Sequence, residues 1–185
     1  VLAASKQDHT FSPQRRTYFN LAVDQTTADF TGTLQVQPSD FDGDGNSDLA
    51  VWRPSSGVWH INRSADNGYS ATQFGGASFG DVVVPGNYDG DKKIDYAVFR
   101  GGIWYIMNSS DGTVRMVAFG LPNDLPVPGD FDGDGKTDVA VWRPSDGNWY
   151  VMRSSDGAFD VNHFGTPGDL PVAGDFDGDG KTDVA

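Results

Sequence analysis

The sequence has no cysteine and no glutamate among its 185 residues. Without cysteine there is no disulfide framework, no thiolate ligand and no thiol nucleophile. Without glutamate, all 26 acidic residues are aspartate, and the bidentate Glu that closes an EF-hand loop has no candidate. Basic residues are scarce, 13 Lys and Arg in all, which leaves a formal charge of −13. That balance excludes the basic face of a nucleic-acid binder. No apolar run approaches the roughly 18 residues of a membrane span. The zinc-protease HExxH, the GxSxG nucleophile turn and the phosphate-binding glycine loop are all missing, and the three histidines (His9, His60, His163) are scattered. Helical periodicity is absent too. The length suffices for one domain with a sizeable core.

What the chain has in excess is aspartate with glycine. Residues 130–138 read DFDGDGKTD, with Asp130, Asp132, Asp134 and Asp138 at positions one, three, five and nine. A curled loop turns alternate side chains inward, and a backbone carbonyl at position seven, here Lys136, adds another oxygen. Ca²⁺ takes six to eight such oxygens at about 2.3–2.6 Å. Three further copies exist. Residues 40–48 place Asp40, Asp42, Asp44, Asn46 and Asp48 at positions one, three, five, seven and nine; residues 87–95 place Asn87, Asp89, Asp91, Lys93 and Asp95; residues 175–183 place Asp175, Asp177, Asp179, Lys181 and Asp183. The four loops hold fifteen of the 26 aspartates, so four dications would bring the formal charge from −13 to −5. The acidity therefore reads as metal sites, up to four Ca²⁺, and not as a solvated tail. The copy at 87–95 is expected to be the weakest. It has Asn87 for Asp at position one, and Lys92 where the others have Gly45, Gly135 and Gly180. If position six is left-handed, a side chain there costs on the order of 1 kcal/mol.

The loops start at residues 40, 87, 130 and 175, spacings of 47, 43 and 45. Between them one pattern recurs: LAVWRPSSGVWHINRSADNG (49–68), YAVFRGGIWYIMNSSDG (96–112) and VAVWRPSDGNWYVMRSSDG (139–157). Each copy runs on to a Phe-Gly pair, at Phe74-Gly75, Phe119-Gly120 and Phe164-Gly165, and then to a proline-containing lead into the next loop. Alternation in these runs, broken by Gly- and Asp-containing turns, predicts four short strands per repeat. Residues 138–143, 148–153 and 158–164 are expected as the second, third and fourth strands of one repeat. Apolar residues on both faces predict a sheet buried on both sides. Four strands every 45 residues or so, with aromatics at fixed places, is the pattern of β-propeller blades. The divisions expected are residues 1–33 as an N-terminal arm with possible strands at 17–23 and 28–32, then blades at 34–75, 76–120 and 121–165. Residues 166–185 begin a fourth blade.

These residues, above all the Phe-Gly pair and the DxDGDGxxD loop, resemble FG-GAP repeats, also grouped as VCBS-type repeats. The family builds the head propeller of integrin α subunits, some fungal lectins and many secreted bacterial proteins. The resemblance covers roughly residues 28–185. It implies an all-β β-propeller, commonly seven-bladed, with a Ca²⁺ loop joining the first two strands of each blade. On that basis the chain is expected to be a piece of a larger ring, its other blades coming from further sequence or another chain. The alternative is a four-bladed ring closed by pairing residues 17–32 with 171–185.

The recurring aromatics Trp52, Phe99, Trp142, Trp59, Trp104 and Trp149 are expected to pack between sheets and not to form a sugar platform. Arg53, Arg100 and Arg143 are expected to stack on aromatics or pair with aspartate. A cysteine-free, calcium-stapled chain suits the extracellular setting, where millimolar Ca²⁺ fills sites of modest affinity. The function expected is adhesion or recognition of a protein or glycan ligand, without catalysis. The alternatives are a non-catalytic part of a secreted polysaccharide-active enzyme, or a structural spacer.

Overall fold

The computed structural model describes residues 39–185, together with the backbone of four short strands before them: β1 (Leu2–Ala3), β2 (His9–Ser12), β3 (Arg15–Arg16) and β4 (Thr31–Leu34). The fold is all-β, with no α-helix among the described residues. β5 (Leu49–Arg53), β6 (Val58–Asn62) and β7 (Tyr69–Gln73) form a three-stranded antiparallel sheet. β8 (Val82–Val83), β9 (Tyr96–Arg100), β10 (Ile103–Met107) and β11 (Val114–Ala118) make a four-stranded meander in chain order. β12 (Leu125–Pro126), β13 (Val139–Arg143), β14 (Asn148–Met152) and β15 (Phe159–His163) repeat it, and β16 (Ala173–Gly174) pairs with β17 (Asp183–Val184). Each first strand is short, and Pro85 or Pro128 follows it at a place where the backbone N faces away from the partner strand, so the missing N–H costs the ladder no bond. The pairing resumes beyond it: Asp95 N–H donates to the Gly86 carbonyl at 2.8 Å, and Asp138 N–H to that of Gly129 at 2.7 Å.

The expectation of two buried faces holds for β9 and β13, where Ala97, Val98, Phe99, Val139, Ala140, Val141 and Trp142 are all buried. Between these two sheets Val84, Tyr88, Phe99, Trp104 and Ile106 meet Val139 and Val141 in one core. Burying side chains of this size contributes roughly 1.5–3 kcal/mol each. β5 departs from the expectation: Leu49 is 76% exposed and Val51 64%. No second sheet covers that face among the described residues.

The packing role expected of the aromatics is what the sheets show. Trp104 and Trp149 are wholly buried and Trp142 nearly so. Their indole N–H groups explain the Phe-Gly pair. Trp52 and Trp59 both donate to the Phe74 carbonyl (3.2 and 3.0 Å), Trp104 donates to that of Phe119 (2.9 Å), and Trp142 and Trp149 donate to that of Phe164 (3.3 and 3.0 Å). A buried indole needs such a partner. Two of the three arginines, Arg100 and Arg143, also behave as expected, whereas Arg53 is exposed and has no such partner among the described residues. Arg100 makes a two-point bond to Asp81 (2.6 and 3.0 Å), and Arg143 makes one to Asp124 (2.9 and 2.9 Å).

The N-terminal stretch differs from its sequence reading. Residues 1–16 carry no convincing pattern, yet β1 pairs with β3 and β2 with β4. Strands of two to four residues are too short to show a period. β4, which contains part of 28–32, pairs with β2, and β16 and β17 pair only with each other among the described residues. Among the described residues no closed four-bladed ring is therefore seen. The possible strand at 17–23 lies outside the described residues, as do residues 35–38, where the first strand of the first sheet was expected; among the described residues that sheet has three strands.

Candidate metal sites in the aspartate loops

The loops at 87–95, 130–138 and 175–183 each join the first two strands of a sheet, the loop at 40–48 leads into β5, and each neck is closed by backbone. Asp48 N–H donates to the Ser39 carbonyl at 2.9 Å, matching the Asp95 and Asp138 bonds above. Inside the neck, the position-one carboxylate organises the curl. Asp40 accepts from Gly43 N–H (2.6 Å) and Gly45 N–H (2.9 Å), Asp130 from Gly133 (2.6 Å) and Gly135 (2.9 Å), and Asp175 from Gly178 (2.7 Å) and Gly180 (3.1 Å). The position-nine carboxylate accepts from the N–H groups of positions two and three: Phe41 and Asp42 on Asp48, Phe131 and Asp132 on Asp138, Phe176 and Asp177 on Asp183.

This curl gathers three carboxylates in each of three loops: Asp40, Asp42 and Asp48; Asp130, Asp132 and Asp138; Asp175, Asp177 and Asp183. In each group one oxygen per residue lies within 4.8 Å of the others. Two ligands on opposite sides of one Ca²⁺ are about 5 Å apart, so each group fits around a single ion of that size. The donors are all hard oxygens, as the ion prefers. Burial is the main reason the Asp40, Asp130 and Asp138 carboxyls are pushed above the ordinary aspartate range, so their charge calls for neutralisation by a proton or a cation.

Position five is not in these groups. Asp44, Asp134 and Asp179 instead accept the N–H of position seven, from Asn46 (2.7 Å), Lys136 (2.8 Å) and Lys181 (2.8 Å). The loop at 87–95 forms no three-carboxylate group, because Asn87 leaves only Asp89 and Asp95 at the gathering positions. Asn87 still organises the curl, accepting from Gly90 N–H at 2.9 Å, and Asp95 accepts from Tyr88 N–H at 2.8 Å. Asp91 accepts from Lys93 N–H at 2.8 Å. Lys92 takes φ +75°, against +85° at Gly45 and +86° at Gly135, so position six is left-handed as the spacing of glycines suggests.

Sequence reasoning missed the serines. Ser64, Ser109 and Ser154 open the turns between third and fourth strands. Their N–H groups donate to Asp48 (2.7 Å), Asp95 (2.6 Å) and Asp138 (2.7 Å). Their hydroxyls donate to Asp44 (3.0 Å), Asp91 (3.0 Å) and Asp134 (2.9 Å). Ser110 and Ser155 add hydroxyl bonds of 2.6 Å to Asp89 and Asp132. A repeated serine near 20 residues after position five was the signal available.

The loops are also joined to one another in chain order. The position-one carbonyl accepts the position-eight N–H of the next loop: Ile94 to Asp40 (2.8 Å), Thr137 to Asn87 (2.8 Å), Thr182 to Asp130 (2.6 Å). The lysine at position seven lays its stem on the position-four glycine of the loop before. A Cβ on Gly90 would come within 2.7 Å of Lys136, and one on Gly133 within 3.0 Å of Lys181. The glycine is needed for this close approach as well as for the curl.

Comparison with known families agrees with this geometry. A model described as FG-GAP-like repeat matches residues 40–98 and 130–185, which hold all four loops. No curated protein and no solved structure matches the chain.

Proposed function

The chain belongs to the FG-GAP-like repeat family, and from that premise we propose that it is a Ca²⁺-binding β-propeller segment that recognises a protein or glycan ligand outside the cell, without catalysis of its own. In this reading the blades run from 34–75, 76–120 and 121–165, with 166–185 opening another, and they belong to a ring larger than this chain. The observation that carries it is the same three-carboxylate group rebuilt at positions one, three and nine in three loops. A group repeated once per blade suits a structural ion better than a single reaction centre. Bound there, Ca²⁺ supplies charge neutralisation for the crowded carboxylates and no redox or acid–base chemistry. The chain's own residues do the rest: the serine turns lock the loop ends to the outer strands, and the loop-to-loop bonds fix neighbouring sheets. One end of the sheets is thereby rigid, and the connections at the other end are held as a surface on which a ligand is recognised.

The test is thermal unfolding of chelator-treated protein with and without millimolar Ca²⁺. A higher melting temperature with calcium is expected, because an ion that binds only the folded state stabilises it. An unchanged curve, with no calcium found by elemental analysis, rejects the metal reading. Recognition is tested separately, on glycan arrays and peptide libraries, with a polysaccharide-cleavage assay to expose any enzymatic activity.

A further inference from the structure

Arg100 and Arg143 occupy the same place in successive sheets, at the end opposite the aspartate loops. Each guanidinium has its edge tied by two bonds to a carboxylate, Asp81 or Asp124. That leaves its faces for stacking. Arg100 is flanked by two rings, Tyr105 with its centroid at 4.6 Å and Phe79 at 4.3 Å. Arg143 has the counterpart of the first, Tyr150 at 4.1 Å. It has no counterpart of Phe79 among the described residues.

The cause is a difference in length. Five residues, 76–80, separate Gly75 from Asp81, whereas three, 121–123, separate Gly120 from Asp124. The longer connection winds into the 3₁₀ turn Ala77–Phe79, which carries the phenyl ring onto Arg100. In the next repeat a cavity of about 490 Å³ stands beside Arg143 and Asp124, walled by Leu121, Pro122, Pro144 and Ser145.

We propose that this cavity is a docking site for an aromatic side chain of a partner polypeptide, which takes beside Arg143 the place that Phe79 takes beside Arg100. The assignment deepens the recognition reading above and rests on it. The ion pair with Asp124 fixes the guanidinium before a partner arrives, so little ordering is needed on binding. Leu121, Pro122 and Pro144 supply apolar walls for the ring edge, and Arg143 supplies the cation–π contact.

The test is an ¹H–¹⁵N NMR titration of the calcium-loaded chain with N-acetylphenylalanine amide, against N-acetylleucine amide as control. Saturable shifts are expected at the Leu121, Asn123 and Ser145 amides and at Arg143 Nε–H, with the aromatic amide binding about tenfold tighter. Replacing residues 121–123 by residues 76–80 should fill the cavity and abolish those shifts. Phe79→Ala, a surface change that does not depend on the graft folding, should create a second set of shifts around Asp81 and Arg100. No saturable shift at the first site, equal response to both amides, or no new site in Phe79→Ala overturns the proposal. A peptide-library partner that binds the graft as well as the parent chain, or a glycan found in the cavity, also overturns it, and either leaves the recognition reading standing.

Discussion

The side-chain amide of Asn87 donates a 3.1 Å hydrogen bond to the carbonyl of Gly135, in the loop that follows its own. An aspartate at that position has no N–H to give. The same residue that leaves its loop one carboxylate short is thus a joint between neighbouring loops. Asn87→Asp should exchange one role for the other. The loop at 87–95 gains its third gathered carboxylate, and titration calorimetry should show one more or one tighter Ca²⁺ site. In chelator, the loss of a part-buried hydrogen bond and the added charge should lower stability by about 1 kcal/mol, read from denaturant unfolding.

Lys92 holds a left-handed backbone that its neighbours assign to glycine. Lys92→Gly removes a strain of about 1–2 kcal/mol and gives back part of it as extra freedom in the unfolded chain, about 0.4–1 kcal/mol. The net expectation is a stabilisation below about 1 kcal/mol, a rise of roughly 2–4 °C at most for a chain of this size. A fall in melting temperature on this substitution contradicts it.

Burial, reinforced by neighbouring carboxylates, raises the pKa of Asp40, Asp130 and Asp138. A carboxyl whose folded pKa is raised binds protons more tightly folded than unfolded, so its charging destabilises the fold. That penalty is complete above the folded pKa and vanishes below the unfolded value. Metal-free protein should therefore recover some stability from these three groups as pH falls from neutral through their raised pKa values. Ca²⁺ competes with the same protons. The rise in melting temperature that calcium produces should shrink over that window, and melting curves taken with and without calcium at successive pH values check it.

A Cβ on Gly57 would lie 1.9 Å from the Gly75 carbonyl oxygen, whereas one on Gly112 meets nothing within 4 Å. Both residues have positive φ, +65° and +71°, so the backbone strain of an alanine is comparable. Gly57→Ala should then cost about 1–3 kcal/mol more than Gly112→Ala, since backbone on both sides leaves no flexible chain end to move. Equal losses in a denaturant titration would mean the Phe-Gly segment yields easily.

Much of this repeat was legible because it is local. Strands expected at 138–143 and 148–153 form at Val139–Arg143 and Asn148–Met152, since alternation and turn chemistry act within a few residues. The aspartate groups were legible for the same reason, as spacing in a tight curl fixes which side chains face inward. The serine locks, the lysine stems on glycines and the Phe79 lid were not. Each joins segments whose relative position is set only after sheets pack, and a period along the chain carries no record of that. Position five carries a further contact that spacing did not show: besides the N–H two residues ahead, a serine hydroxyl from the outer turn bonds to the Asp44 and Asp134 carboxylates.

The backbone bonds between loops have a direction. Asp40 offers its carbonyl to Ile94, Asn87 to Thr137 and Asp130 to Thr182, so in these three the acceptor precedes its donor in the chain. Synthesis proceeds from the N-terminus, and domains fold as they emerge. A growing chain therefore carries a finished acceptor out of the ribosome before the matching donor has been made. Each new repeat meets a template already in place, and assembly of the array needs no search among repeats still to come.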